Sequence, residues 1–231
     1  MIGDRRVLAI VPARAGSQGL PGKNVRPLAG KPLVDWTLEA AAASTLIDHV
    51  LVSSDDPQVL ARVQPPMQAL ERPAALAGAE ASVFDAIGHA LDHAGDGWDY
   101  VVLLQPTSPL RIAADIDAAI RLCDETGAPA VLTVSPTLKP DRFHGTLGAD
   151  GRLVLDAGRD GEGVVLNGAV YVGRPDRLLD DRTFLVEGTR VLVMPPERGQ
   201  DIDTLYDFVV AEALMPQARA FAETGMPAVR R

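Results

Sequence analysis

Short runs of apolar residues recur along the chain. Within most of these runs nearly every residue is apolar, rather than every second residue. Runs of this kind are typical of strands that are buried on both faces. The pattern predicts strands over residues 7–11, 49–53, 100–104, 130–134, 169–172 and 190–194. The first run is rich in β-branched residues, as strands usually are.

Segments between these runs repeat their apolar residues every three or four positions, which predicts helices. The predicted helices cover residues 33–43, 83–94, 114–124 and 204–215. Apolar strands alternating with helices indicate a mostly parallel sheet that is covered on both faces. We therefore expect an α/β layered fold that forms one domain over residues 1–231.

The segment 135–165 breaks this rhythm with prolines, glycines and many charges. A pair of short extended stretches around residues 147–153 has the pattern of a hairpin. Such an insertion is either a mobile lid or an arm that packs on a second subunit, and composition does not choose between them.

The formal net charge of −9 and the lack of a long basic run argue against a nucleic acid partner. A local basic pocket for a small anionic substrate remains possible. No apolar run approaches the roughly 18 residues that a membrane span needs. We therefore expect a cytoplasmic protein with no membrane partner, in which the single cysteine, Cys123, is a buried core residue.

The loop after the first strand, residues 12–24, carries glycines and cations with no helical or strand period. Ligands of open parallel sheets bind beyond the carboxyl ends of the strands, where this loop lies. Its backbone amides, with Arg14 and Lys23 beside them, suit a polyphosphate. The glycine spacing is neither that of a dinucleotide fold nor that of a phosphate-loop ATPase, and a plain surface loop is the alternative.

Two further loops follow predicted strands. Ser53-Ser54-Asp55-Asp56 either contributes to a site or caps a helix that begins at Pro57. In LLQPTSPLR, two prolines restrict a turn that carries an amide, two hydroxyls and an arginine, as a preorganised site requires. The alternative is a capped turn before the helix at 114.

The loop after the last predicted strand contains Asp201 and Asp203. Carboxylates two residues apart in an extended segment point to the same side and can share one hard cation. The alternative is a helix start in which Asp203 or Thr204 caps the run from Leu205.

In this order, the motifs ARAGSQGLPGKN, SSDD, ERPAALA, LLQPTSPLR, LNGAVYV and DIDT resemble the acylneuraminate cytidylyltransferases and, more distantly, the Kdo cytidylyltransferases. The resemblance runs from about residue 7 to residue 214. It implies a three-layer Rossmann-like nucleotidyltransferase fold, with a mostly parallel sheet and a small dimerisation arm in a homodimer. It also implies transfer of CMP from CTP to the anomeric hydroxyl of a 2-keto-3-deoxy sugar acid, with release of pyrophosphate.

The resemblance further implies roles for individual residues. The nucleotide-binding residues would be Ala13, Arg14, Gly16, Ser17, Gln18, Gly19, Lys23, Asn24, Arg72 and Ser82. The sugar-binding residues would be Gln105, Thr107, Ser108, Arg111, Arg142, Asn167 and Gly168. Asp201 and Asp203 would hold Mg²⁺, and Arg14, Lys23 and Asp203 would be catalytic.

The chain departs from the family's pattern at two places. Gln18 stands where the family usually has Lys or Arg. Residues 156–165 lack the family's Arg-Gln segment near the sugar, for which Arg159 is the candidate replacement, and Arg142 is the candidate for the family's basic residue after His-Pro. CMP-Kdo synthesis, or transfer to another carboxylated or phosphonated acceptor, is therefore the alternative function. A nucleotide-binding homologue without turnover is a third.

Overall fold

A computed structural model describes residues 2–16, 19–78, 80–139, 144–147, 149, 152–155 and 163–224. The strands are β1 (Val7–Pro12), β2 (Pro27–Leu28), β3 (Lys31–Pro32), β4 (His49–Ser54), β5 (Gln68–Glu71), β6 (Tyr100–Leu103), β7 (Ala130–Pro136), β8 (Gly145–Leu147), β9 (Leu153–Leu155), β10 (Val164–Gly173) and β11 (Arg190–Val193). The α-helices are α1 (Leu33–Ala43), α2 (Pro57–Leu60), α3 (Val83–Ala94), α4 (Ala113–Thr126), α5 (Pro175–Asp181) and α6 (Leu205–Thr224). Short 3-10 helices cover Lys23–Val25 and Ala74–Leu76.

Seven strands form the central sheet, in the order β11-β7-β10-β6-β1-β4-β5. Within the described part of the chain, β10 is antiparallel to both neighbours, and the other pairs in this sheet are parallel. The mostly parallel sheet expected from the sequence is therefore confirmed. Because β10 is reversed, its amino end lies at the edge where the other six strands have their carboxyl ends.

Alternate side chains of β1 enter two different hydrophobic clusters. Val7, Ala9 and Val11 lie in one cluster, and Leu8 and Ile10 lie in the other, all of them fully buried. Helices α1 and α4 contribute to the first cluster, and helices α3 and α5 contribute to the second. Fully burying one such aliphatic side chain stabilises the fold by about 1.5–3 kcal/mol, so the three-layer arrangement follows from the apolar strand.

The structure matches the predicted bounds of α1 and α3, and it adds elements that the pattern did not predict. Strand β5 has one buried residue, Leu70, and lies at the sheet's edge, so no apolar run marks it. Helix α5 has seven residues, too few for a helical period to be seen. Helix α6 continues through Pro216 because Met215 and Ala218 pack in a third cluster that also contains Leu110.

The hairpin predicted within 135–165 is confirmed, because β8 and β9 pair antiparallel with Thr146 opposite Val154. Much of the remaining segment lies outside the described residues, and its role as lid or arm stays a prediction. Cys123 is buried as predicted, and burial raises the pKa of its thiol to about 11. In the portion that the structure describes, no helix has both the length and the apolar character needed to cross a bilayer.

Candidate functional site

The loops predicted to carry chemistry meet at the edge formed by the carboxyl ends of the parallel strands. The Ala13 amide donates to the Ser53 carbonyl at 2.9 Å, so the loops after β1 and β4 leave the sheet side by side. The Ile202 amide donates to the Thr107 carbonyl at 2.8 Å, which joins the acidic loop to the turn after β6. This edge is where an open α/β sheet binds its ligand.

Side chains from neighbouring loops stabilise the described part of the glycine loop. The Asp55 carboxylate accepts the Ala15 amide at 2.8 Å, and the Asn24 amide group donates to the Arg14 carbonyl at 2.9 Å. The Arg14 guanidinium donates to the Gly78 carbonyl at 2.8 Å. The two carboxylates of the SSDD motif therefore have different roles. Asp55 orders the glycine loop, while Asp56 caps α2 by accepting the Gln58 amide at 2.9 Å.

Lys23 joins the glycine loop to the acidic loop. Its buried ammonium group donates to the Ile202 carbonyl and lies 3.3 Å from the Asp203 carboxylate. A Cβ at Gly19 would lie 2.2 Å from the Asp203 carbonyl oxygen, so only glycine allows the backbones to approach this closely. The side chain of Asp203 is 77% exposed and that of Lys23 is 8% exposed, which leaves the carboxylate open to a ligand.

Asp201 lies deeper in the same loop than Asp203. Burial raises the pKa of Asp201, and a hydrogen bond from Thr107 opposes that shift. One oxygen of its carboxylate, Oδ1, is buried without a hydrogen-bond partner among the described residues. A buried carboxylate oxygen without a partner is costly, so Oδ1 is an acceptor that a cation or a hydrogen-bond donor can satisfy.

Gly168, in the middle of β10, lies beside the side chains of Asp201 and Gln105. Its φ of +68° suits glycine, and a Cβ there would lie 3.5 Å from Gln105 Nε2 and 3.8 Å from Asp201 Oδ1. The two side chains therefore flank a position at which the backbone carries no side chain. Ser108 Oγ would lie 3.4 Å from the same Cβ, so glycine at this position lets three polar side chains lie close to the backbone.

Arg72, predicted to contact the base, is buried and held rigidly. Its Nε donates to Ser53 Oγ at 3.0 Å, and its Nη2 donates to the Ser53 carbonyl at 2.9 Å. Burial lowers the pKa of its guanidinium, and the Asp55 carboxylate opposes that effect. The guanidinium is preorganised by these two hydrogen bonds, as a recognition group should be.

Arg111 and Asn167 have a different setting from the sugar contact that the resemblance implied. The buried Arg111 guanidinium donates to the carbonyls of Ala169 and Gln105, and desolvation lowers its pKa to about 9. The Asn167 side chain accepts from Thr133 Oγ1 at 2.6 Å and donates to Ser135 Oγ at 3.0 Å. In this structure Arg111 joins the turn after β6 to the middle of β10, and the Asn167 side chain joins β10 to β7.

The remaining predicted residues have mixed outcomes. Ser82 caps α3 by accepting the Phe84 amide at 3.1 Å. Neither hydroxyl of LLQPTSPLR caps α4, whose first turn is instead closed by the Ile112 amide donating to Asp115 at 3.1 Å. The turn hydroxyl Ser108 Oγ donates to the Asn167 carbonyl at 3.2 Å. The following predicted residues lie outside the described residues: Ser17, Gln18 and Arg142.

Sequence reasoning missed the buried ion pair between Arg198 and Asp115, which lies behind the acidic loop. A carboxylate in the first turn of α4 was visible as a helix-start signal, but nothing marked Arg198 as its partner 83 residues away. It also did not assign the role of Asp55 in ordering the glycine loop. The adjacent charges of SSDD were the available signal.

Comparisons with known proteins identify the family of the chain. The cytidylyltransferase family model matches residues 8–141. A CMP-N,N'-diacetyllegionaminic acid synthase of Legionella pneumophila is 33% identical over 226 residues, which cover 91% of this chain and 96% of that protein. An N-acylneuraminate cytidylyltransferase of Escherichia coli O18:K1:H7 is 33% identical over 215 residues, covering 89% of this chain and 51% of that protein. This chain thus spans about half the length of that second relative.

Among solved structures, a CMP:2-keto-3-deoxy-manno-octonic acid synthetase complexed with CTP superposes with a TM-score of 0.69 at 20% identity. The match covers 92% of this chain and 99% of that chain, and at this identity it shows the fold. The Rossmann-like nucleotidyltransferase fold expected from the resemblance is therefore confirmed. The family model matches more than half of the chain, and the two relatives match along most of it. This chain therefore belongs to the cytidylyltransferase family, as the acylneuraminate cytidylyltransferases do.

Proposed function

We propose that the protein transfers CMP from CTP to the anomeric hydroxyl of a nonulosonic acid and releases pyrophosphate. The contact between the glycine loop and the acidic loop, made by Lys23 and Asp203, is the observation that carries this proposal. It brings a cation suited to phosphate and a carboxylate suited to a metal to one edge of the sheet. A nine-carbon acid is favoured because the legionaminate relative matches over 96% of its own length.

The glycine loop and its neighbours would hold CTP. Arg14 and Lys23 supply positive charge for the phosphates, and Arg72 supplies a fixed guanidinium for the base. Charge-assisted hydrogen bonds from such groups are about twice as strong as neutral ones. Because Arg14 and Lys23 are already held by backbone carbonyls, they can neutralise the leaving pyrophosphate with little rearrangement.

Asp201 and Asp203 fit a site for Mg²⁺. The unpartnered Oδ1 of Asp201 and the exposed carboxylate of Asp203 are hard oxygen donors. Mg²⁺ is usually bound by one or two carboxylates together with phosphate oxygens and waters, so two carboxylates are enough. When bound, the ion would neutralise charge on the reacting phosphates.

The acceptor would lie beside Gln105, Gly168 and Asp201. Its anomeric hydroxyl attacks the α-phosphorus of CTP, and the bond to pyrophosphate breaks. The protein forms no covalent intermediate, so its contribution is positioning two anions and compensating their charge. Arg111 and Asn167 support this role by fixing the backbone on which Gln105 and Gly168 lie.

We also propose that the protein is a homodimer. Exposed apolar side chains lie near both ends of the 135–165 segment, with Leu138 86% exposed and Val165 52% exposed. Their neighbours in β10, Val164 and Leu166, are about half exposed as well. Adjoining exposed apolar residues of this kind mark interaction surfaces in soluble proteins.

The experiment that tests the function is pyrophosphate release with Mg²⁺ and each of the four nucleoside triphosphates. The acceptors are N-acetylneuraminate, its deaminated analogue, legionaminate, pseudaminate and Kdo. We expect release with CTP and a nine-carbon acid. Faster release with Kdo would favour the alternative function, CMP-Kdo synthesis. A 3-deoxy-manno-octulosonate cytidylyltransferase of Synechococcus elongatus is 46% identical to this chain, but over only 24% of its length. No release with any pair would contradict the proposal.

A further inference from the structure

Arg198 and Asp115 form a fully buried ion pair beneath the candidate site. Arg198 Nε and Nη2 donate to the two carboxylate oxygens of Asp115, each at 3.0 Å, and the side chains are 1% and 0% exposed. Asp115 also accepts the Ile112 amide at 3.1 Å. Two parallel hydrogen bonds to one carboxylate fix both the distance and the orientation of the guanidinium. Such a pair contributes little net stability, so its value lies in the geometry it imposes.

The ion pair fixes the near end of the acidic loop. Arg198 follows β11 in a turn closed by its own amide, which donates to the Pro195 carbonyl at 3.0 Å. Only two residues, Gly199 and Gln200, separate Arg198 from Asp201. A chain extends by at most about 3.6 Å per residue, so anchoring Arg198 confines the Asp201 backbone to a small volume.

The adjoining turn is packed so closely that it cannot shift easily. A Cβ at Gly199 would lie 2.1 Å from Ser135 Oγ and 2.7 Å from Asn167 Nδ2. The turn therefore rests directly on side chains of β7 and β10. Movement of Arg198 would be transmitted to this contact, since packed interiors deform little.

The far end of the acidic loop has its own anchors. The Ile202 amide donates to the Thr107 carbonyl at 2.8 Å, and the Ile202 carbonyl accepts from Lys23. The Ile202 side chain is fully buried in the third hydrophobic cluster. Asp201 thus lies between the Arg198 anchor and the Ile202 anchor.

Arg111 extends this arrangement toward the site. Its buried guanidinium is influenced by the negative charges of both Asp115 and Asp201. Charges of alternating sign therefore run inward from the loop, through Asp201, Arg111 and Asp115 to Arg198. Removing the Asp115 charge would leave two buried guanidiniums poorly compensated, whereas removing Arg198 leaves Asp115 beside Arg111.

We propose that Arg198, through its ion pair with Asp115, is a positioning residue that holds Asp201 and Asp203 in the orientation needed to bind Mg²⁺ with CTP. The proposal rests on the proposed function for the identity of the ligands. It adds a residue, Arg198, to which neither the motifs nor the geometry of the open site gives a role. The guanidinium is 1% exposed, so it acts through the loop rather than by touching a ligand.

The test compares Arg198→Met, Arg198→Lys and Arg62→Met. Arg62 is the control, because its ion pair with Asp35 joins α1 to the segment after α2 rather than to either loop. The first readout is backbone amide exchange over residues 199–204 in the protein without ligands. The second is the affinity for Mg²⁺, measured by calorimetry in the presence of saturating CTP.

We expect Arg198→Met to exchange faster over residues 199–204 and to bind Mg²⁺ about 10- to 100-fold more weakly, as loss of residues behind metal ligands usually does. Arg198→Lys should recover part of the affinity, and raised Mg²⁺ should restore its kcat. Arg62→Met should match the original protein in both readouts. An Arg198→Met protein that folds and matches the original in both would overturn the proposal.

If Arg198→Met does not fold, Arg198→Lys decides the question. Faster loop exchange in a folded lysine variant supports the proposal, and unchanged exchange with unchanged Mg²⁺ affinity contradicts it. Amide exchange requires no substrate, so it distinguishes this proposal from the proposed function. Absence of turnover by the original protein would contradict the function, while the exchange result would still decide the role of Arg198.

Discussion

At the scale of single residues, Asp203 shows how a crowded site keeps one carboxylate available. Its backbone carbonyl lies against Gly19, and its carboxylate is 3.3 Å from the buried ammonium of Lys23. Most of its side chain is nevertheless exposed. The backbone therefore carries the structural role, and the side chain is free for chemistry.

Replacing Asp203 by Asn should separate these two roles. We expect Asp203→Asn to lower kcat/KM on the order of 100-fold or more, since metal ligation supplies several kcal/mol of transition-state stabilisation. The free energy of unfolding should change by less than about 1 kcal/mol, because the side chain is mostly exposed. Steady-state kinetics and urea denaturation measure the two quantities.

Asp176→Asn is the matched control, because Asp176 is an exposed carboxylate in α5 at the opposite edge of the sheet. It should leave both quantities unchanged. Near-normal turnover by Asp203→Asn would remove Asp203 from the metal site and leave Asp201 as the remaining carboxylate there.

At the scale of elements, the start of α6 lies directly after the acidic loop. Thr204 Oγ1 accepts the Asp207 amide at 3.3 Å, and Asp207 Oδ2 accepts the amides of Thr204 at 2.8 Å and Asp203 at 3.1 Å. Of the two alternatives for this segment, Thr204 therefore caps the helix, while Asp203 remains available for a ligand. The helix start and the candidate site occupy adjacent residues without competing.

The cap makes a pH-dependent contribution to stability. Burial alone would raise the pKa of Asp207, but hydrogen bonds from Thr204 and the Asp203 amide lower it below its ordinary value. A lowered pKa in the folded state stabilises the protein above the unfolded-state pKa, and this contribution disappears as the pH falls through the folded-state pKa. Asp207→Ala should therefore cost about 1 kcal/mol of unfolding free energy at pH 7.

The difference between the original protein and Asp207→Ala should shrink as the pH falls below about 4, where an ordinary aspartate becomes protonated. Urea denaturation at neutral and acidic pH measures it. Asp207→Asn keeps an acceptor oxygen without the charge, so it should show an intermediate loss with little pH dependence. A difference for Asp207→Ala that is constant with pH would show that the charge of Asp207 contributes nothing.

The sequence predicted those helices and strands whose apolar residues repeat with a regular period. It predicted the place of the candidate site from the motifs that follow strands. Helices α1 and α3 have the predicted bounds, and for α3 the reason is visible in the sequence, since Ser82 caps its start and Gly95, at φ +71°, ends it. Residue type alone does not give side-chain direction, so the hydrogen bonds of Arg111 and Asn167 to the protein had no local signal, and their contact with the sugar stays a prediction. The contact between Lys23 and Asp203, which are 180 residues apart, depends on the folded sheet and has no local signal.

At the scale of the whole molecule, the exposed apolar residues around the 135–165 segment predict a dimer. Light scattering after size-exclusion chromatography should give twice the monomer mass at micromolar concentration. A double substitution, Leu138→Asp with Val165→Asp, should shift the protein to the monomer because it places charges in the proposed interface.

Leu185→Asp is the control, because Leu185 is 63% exposed in the segment between α5 and β11. It should leave the dimer intact. A monomeric original protein would contradict the proposed dimer. A dimer that persists with both charges present would place the interface elsewhere.

The reversed direction of β10 has a consequence for how this fold can diversify. Because β7 ends and β10 begins at the same edge, the chain between them leaves and re-enters the sheet beside the site. A hydrogen bond joins the two ends of this segment, because the Thr137 amide donates to the Gly163 carbonyl at 2.9 Å. The segment can therefore lengthen, shorten or change its composition without altering the register of the sheet. Sequence changes in this segment can then accumulate while the strands that carry the glycine loop and the acidic loop keep their pairing.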